Sequence, residues 1–178
     1  VDEAHGTHLY FQDALPISAM DAGADMSSVS LHKTGGSLTQ SSMLLLGPSM
    51  REDSGYVHQI INLTQTTSAS YLLLASLDIT RRNLALRGEQ IYERVIKFAN
   101  YAREEINQIG GFNAFGEERC DGDAFFAFDS CKLPLHTIKM GLTGIEVYDI
   151  LRDEYDIQIE FGDMLNCLAI LSVGDRPV

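Results

Sequence analysis

"SVSLHKTGGSLTQSSMLLLG", residues 28 to 47, constrains this chain more than any other stretch. Val29 and Leu31 alternate with polar neighbours, the period of a half-buried strand. "SSMLLLG" is a continuous apolar run closed by Gly47-Pro48, the pattern of a buried strand. Between the two runs lie His32, Lys33, two glycines and a series of hydroxyl and amide side chains broken only by Leu38. Such a loop cannot build a core. It leaves a lysine at the mouth of a strand, surrounded by hydroxyls and flexible backbone.

The rest of the chain reads as further short elements. Residues 1–9 read as a strand end running into a histidine-rich loop. "FQDALPISAMDAGADM" reads as a short amphipathic helix ending near Gly23. Residues 56–79 suggest two short helices split around a Thr/Ser cluster, and a long helix follows over residues 87–109. Ile91, Val95, Ile96, Ala99 and Ala102 recur there at helical spacing, and Gly110-Gly111 stops it. Beyond it the texture changes. "DAFFAFDSCKL" is strand-like, and "TGIEVYDILRDEY" is a helix with Thr143 and Glu146 spaced as a capping box. "IQIEF" and "CLAILSV" read as two more strands. We therefore expect a first domain over 1–114 and a small α+β segment over 115–178, the change falling near residues 112–118.

Bulk properties exclude several functions. The net charge of -12, from 25 acidic against 13 basic residues, argues against a nucleic-acid or anionic-membrane partner, since both need clustered Lys and Arg. Cys120, Cys131 and Cys167 are too widely spaced for a zinc knuckle and suit a reducing cytoplasm, where they read as packing residues. No run is apolar for the roughly 18 residues a membrane span needs. The five acids of "LRDEYDIQIEFGD" read as a solvated face. The chain starts at Val1 directly on "DEAHGTH", and a domain rarely begins on its most chemically loaded segment. The expectation is a piece of a longer protein, inactive alone.

Two constellations carry chemistry. Lys33 follows a strand, beside His32, with Ser30, Thr34, Ser37 and Thr39 nearby. Such groups donate hydrogen bonds to an anion such as phosphate, and an unprotonated lysine among them is a Schiff-base nucleophile. A phosphate-binding loop of the Walker type needs its glycines before the lysine, whereas here they follow it. Asp2 and His5 form the second constellation, an acid at a strand end with a histidine three residues on. Taken alone, Asp2 is a turn cap and His5 a loop residue. His5 with His8 is weak support for a metal site, and no metal is expected.

Together the two constellations resemble a known family. An acid, a histidine three residues later and Ser-x-His-Lys with its lysine 31 positions after the acid (33 − 2) are similar to fold-type I enzymes that use pyridoxal phosphate. More narrowly, "DEAHG", "LPISAMDAGAD", "SLHKTGGSLTQSSML", "LTQTTSASYLLLASLD", "GLTGIEVYDILRDEYDIQIEFGD" and "LAILSVGD" resemble the Orn/Lys/Arg decarboxylase family, in the same order and over essentially the whole chain. The family commonly has a proline where Ala69 stands.

The resemblance implies an α/β fold, part of a major domain with a mostly parallel sheet flanked by helices, followed by the small α+β segment. It implies pyridoxal 5'-phosphate as cofactor and a basic amino acid (arginine, lysine or ornithine) as substrate, decarboxylated to a polyamine precursor. Lys33 would be the Schiff-base lysine, Asp2 the partner of the cofactor's ring nitrogen, and His5 a neighbour of its phenolic oxygen. Ser30 and His32 would contact the phosphate or orient the lysine. Thr66, Thr67 and Ser68 would reach the phosphate of a neighbouring subunit, which implies a homodimer or larger homo-oligomer. A glycine-rich phosphate loop and a ring-stacking residue would precede Val1. An aminotransferase or acyl-CoA-condensing synthase of the same fold would use the same three residues, and a non-enzymatic interaction module remains a third reading.

Overall fold

The computed structural model describes residues 1–176. It divides into two compact units, Val1–Tyr92 and Glu93–Val178. That division falls inside a helix, whereas the change in sequence texture comes some twenty residues later.

In the first unit, strand β1 (Met26–Ser30) pairs antiparallel with β2 (Ser42–Leu46), Met26 opposite Leu46 and Ser30 opposite Ser42. β1 alternates as its sequence requires: Ser27 and Val29 point inward, Met26 and Ser28 outward. β2 alternates too, so the expected fully buried strand is corrected to a half-exposed one, with Leu44 and Leu46 on the outer face. Between the strands, Leu31–Thr34 forms a single helical turn, α1. Lys33 therefore sits on a helical turn rather than in a strand-to-loop turn. Leu31 and Val29 are buried in the core with Leu15, Ala19 and Leu84, each such side chain contributing about 1.5–3 kcal/mol of burial.

The expected helix over residues 11–26 is absent. A 3-10 turn, Thr7–Phe11, is followed by a chain of turns. Pro16 has no amide to give a helix. The Ser18 hydroxyl donates to Asp21 Oδ2 (2.6 Å) and accepts from the Asp21 amide (3.2 Å), a local turn that competes with helix. Helix α2 (Ser54–Thr64) ends before the Thr/Ser cluster as expected. The helix after the cluster is corrected: α3 runs unbroken from Tyr71 to Ile109. The expected second short helix and the long helix are thus one, and Gly88 lies inside it: one interior glycine costs only about 1 kcal/mol and does not end a helix held elsewhere. Gly110 and Gly111 do end it, both at φ +81°.

The second unit is a four-stranded antiparallel sheet in the order β3 (Asn113–Ala114), β4 (Lys132–His136), β6 (Asn166–Ile170), β5 (Phe161–Gly162). Helix α4 (Gly144–Tyr155) packs on it over a core of Ala114, Leu133, Leu135, Val147, Ile159 and Cys167. The capping box is present: the Glu146 amide donates to Thr143 Oγ1 (3.1 Å) and the Thr143 amide to Glu146 Oε2 (2.7 Å). "DAFFAFDSCKL" is strand only at its end. Asp121 instead accepts the amides of Asp123 and Phe125 (both 2.9 Å), holding this stretch in a turn. The acids Asp153, Glu154, Asp156, Glu160 and Asp163 are all exposed, as a solvated face should be.

Candidate active site

The first residues of the chain dock on the free edge of β1. Ser28 donates its amide to the Val1 carbonyl (3.1 Å) and accepts the Glu3 amide (3.0 Å), and the Ser30 amide donates to the Ala4 carbonyl (3.2 Å). This run is parallel to β1, with Asp2 paired to Ser28. The backbone thus sets Asp2 beside Ser28 and Ala4 beside Ser30, the residue that leads into the His32-Lys33 turn, although 31 residues (33 − 2) separate Asp2 from Lys33.

Each candidate side chain has a distinct setting. Asp2 is exposed, and Oδ1 accepts the Ala4 amide (3.1 Å). His5 is half-buried. Ser30 ends β1, with its hydroxyl 3.5 Å from that of Ser42 and its carbonyl accepting from the Thr7 hydroxyl (3.4 Å). Half-buried His32 has Nδ1 at 2.9 Å from the Ser41 carbonyl. A carbonyl only accepts, so Nδ1 carries a proton and Nε2 is left for another partner. Lys33 is exposed, and its ammonium has no partner among the described residues.

The turn bearing Lys33 is anchored from behind. Buried Tyr92 donates its hydroxyl to the Thr34 carbonyl (2.8 Å) and stacks against Phe11 (5.8 Å between centroids), while buried His8 lies at a tilt to the same ring. Around the turn, the hydroxyls of Thr34, Ser37 and Ser41 are buried without a hydrogen-bond partner among the described residues. A buried hydroxyl left unpaired costs roughly 1–3 kcal/mol, so such groups ordinarily meet a ligand or water.

Thr66, Thr67 and Ser68 are elsewhere. They lie exposed in the turn between α2 and α3, where Thr66 Oγ1 accepts the Ser68 amide (3.1 Å). No described hydrogen bond joins them to the Lys33 turn of their own chain.

Two features lay beyond sequence reasoning. Nothing local in "IYERV" marks Tyr92 as the support of a lysine turn 58 residues away. Glu3 stands within "DEAHG", yet its part-buried carboxylate gathers three donors: the Tyr10 hydroxyl (2.6 Å), the Ser27 hydroxyl (3.0 Å) and the Ala19 amide (2.8 Å). Burial pushes the Tyr10 phenol up to about 12, and its hydrogen bond to Glu3 adds to the shift. The alternation of a strand separates Glu3 from Asp2, and that was the available signal.

The donor set suits pyridoxal phosphate. It offers a free primary amine, a carboxylate for a ring nitrogen, and an imidazole with unpaired hydroxyls beside a phosphate.

An arginine decarboxylase of Bacillus subtilis is 46% identical over 98% of this chain and 36% of its own length. The chain spans about a third of the length of such curated relatives. Among solved structures, the lysine decarboxylase of Francisella novicida superposes with a TM-score of 0.83 at 19% identity, over 98% of this chain and 30% of that one. An alanine–glyoxylate aminotransferase of Nostoc follows at 0.67 and 14%, over 97% of this chain and 48% of that one. These distant likenesses show the mixed α/β, fold-type I architecture and nothing finer. The profile of "Orn/Lys/Arg decarboxylase, major domain" matches residues 1–177, and by that match this chain belongs to the Orn/Lys/Arg decarboxylase family.

Proposed function

We propose that this chain is the lysine-bearing part of a cytoplasmic, pyridoxal-phosphate-dependent decarboxylase of a basic amino acid, serving polyamine metabolism. Arginine is the favoured substrate because the relatives at 43–46% identity are named arginine decarboxylases. The observation that carries the reading is the parallel pairing of residues 1–4 with Ser28 and Ser30, which docks the "DEAHG" segment on the strand that leads into the Lys33 turn.

When bound, pyridoxal phosphate supplies an electron sink for the pair released as the substrate carboxylate leaves as carbon dioxide. The chain's own groups do the rest. Lys33 Nζ would hold the cofactor and later deliver a proton to the substrate α-carbon, a role a nearby histidine could share. Asp2, with one oxygen on the Ala4 amide, would hold a proton on the ring nitrogen. His5 would lie by the phenolic oxygen. Ser30 and His32 would contact the phosphate or orient the lysine, and the Ser41 carbonyl fixes the ring orientation of His32. Thr66, Thr67 and Ser68 would serve a second copy of the chain, since they are exposed and no described hydrogen bond joins them to their own Lys33 turn.

The full-length protein should release carbon dioxide from arginine, and borohydride with mass spectrometry should place the reduced pyridoxyl group on Lys33. Lys33→Ala should lower turnover by at least about 100-fold. Keto-acid formation without carbon dioxide would favour the aminotransferase reading, which the shared fold also allows.

A further inference from the structure

We infer that Glu3 is a positioning residue that sets the place of Asp2 and His5, and that Gly6 exists to let it do so. The inference rests on the function proposed above.

Three donors from three separate segments converge on the Glu3 carboxylate: Tyr10 from the 3-10 turn, Ala19 from the following loop and Ser27 from β1. No cation pairs with it among the described residues, so its charge is held by neutral donors alone. Asp2, next to this clamp in sequence, has a single side-chain hydrogen bond, to the Ala4 amide of its own turn. Glu3 is therefore the side chain that fixes the segment carrying Asp2 and His5.

Gly6 supports the same conclusion. A Cβ there would lie 2.1 Å from Glu3 Cγ and 2.8 Å from Cδ. A flexible side chain could swing away from such a clash, but Glu3 can do so only by giving up its three hydrogen bonds. The Gly6 amide also donates to the Glu3 carbonyl (2.8 Å), which closes the turn. "DEAHG" thus splits into two chemical residues, Asp2 and His5, and a clamp, Glu3 over Gly6.

The test uses the full-length holoenzyme. Glu3→Gln keeps the shape but presents an amide to donors that need an acceptor. It should lower kcat about 10- to 100-fold with little change in KM, shift the pH midpoint of the bound cofactor's visible absorption, and return the Tyr10 titration toward 10. Borohydride labelling of Lys33 should persist. Gly6→Ala should reproduce the kcat loss, and Glu3→Gln with Tyr10→Phe should be less than additive. Val147→Ala, in the core of the other unit, should lower Tm without touching kcat. Unchanged kcat and absorption midpoint in Glu3→Gln and Gly6→Ala would overturn the inference. Absence of labelling on wild-type Lys33 would instead overturn the function on which it rests.

Discussion

At the scale of single residues, burial separates the nucleophilic side chains into accessible and sealed ones. Lys33 is exposed and unpaired, as a reactive amine must be, whereas Cys131 and Cys167 are sealed in the core of the second unit. Burial pushes the Cys131 thiol up to about 12, with Asp129 adding to it, and the Cys167 thiol up to about 11. Both stay protonated and inert, which matches their sequence reading as packing residues. The consequence for stability has a definite sign. Each folded-state value lies above the ordinary 9.0, so the folded form binds more protons in that window. Their contribution is present below about pH 9 and is lost as pH rises through the folded values. Urea midpoints should fall between about pH 9 and pH 11, and Cys131→Ala should flatten that fall. A pH-independent midpoint over this range would contradict the assignment. Lys33, Asp2 and His5 were singled out because each stands in a short motif, "SLHK" or "DEAHG", that resembles one family. The Ser41 carbonyl on His32 was not, because a backbone acceptor leaves no trace in residue identity.

At the scale of elements, legibility followed how local the determining forces are. The capping box at Thr143 and Glu146 formed as read, because both partners lie within one turn. Its Glu146 carboxylate is held below the usual range by the Thr143 amide and hydroxyl. Thr143→Ala should cost about 1 kcal/mol in chemical denaturation, and retention of full stability would show the box to be idle. Two readings failed where a polar side chain outcompeted the periodic pattern. Ser18 and Asp21 turned an amphipathic stretch into loops, and Asp121 turned "DAFFAF" aside from strand. The unbroken α3 is the converse case. Buried Leu84, Tyr92, Val95 and Ala99 fix the helix on both sides of Gly88, so packing carries it through.

At the scale of the whole molecule, the apolar surface flanking the α2–α3 turn bears on assembly. Leu63, Tyr71 and Leu72 are 80%, 86% and 69% exposed, beside Thr66, Thr67 and Ser68. With these residues serving a second copy, the full-length protein should elute as a dimer or larger in size-exclusion chromatography. Leu63→Glu with Leu72→Glu should shift it toward monomer and weaken cofactor retention. A wild-type protein that is monomeric at micromolar concentration would remove that role from Thr66, Thr67 and Ser68. No described helix is long and apolar enough to cross a membrane. By itself the sequence determined the family, because the order of its motifs along one chain carries that information, and it singled out Lys33, Asp2 and His5 as the proposed site. It also determined the strands that flank the lysine, through their period. Only the tertiary structure decided that the Asp2 segment docks on the strand leading to Lys33, that Tyr92 braces the lysine turn and that three donors converge on Glu3. Those arrangements depend on hydrogen bonds between residues 7 to 58 positions apart, which no local pattern encodes.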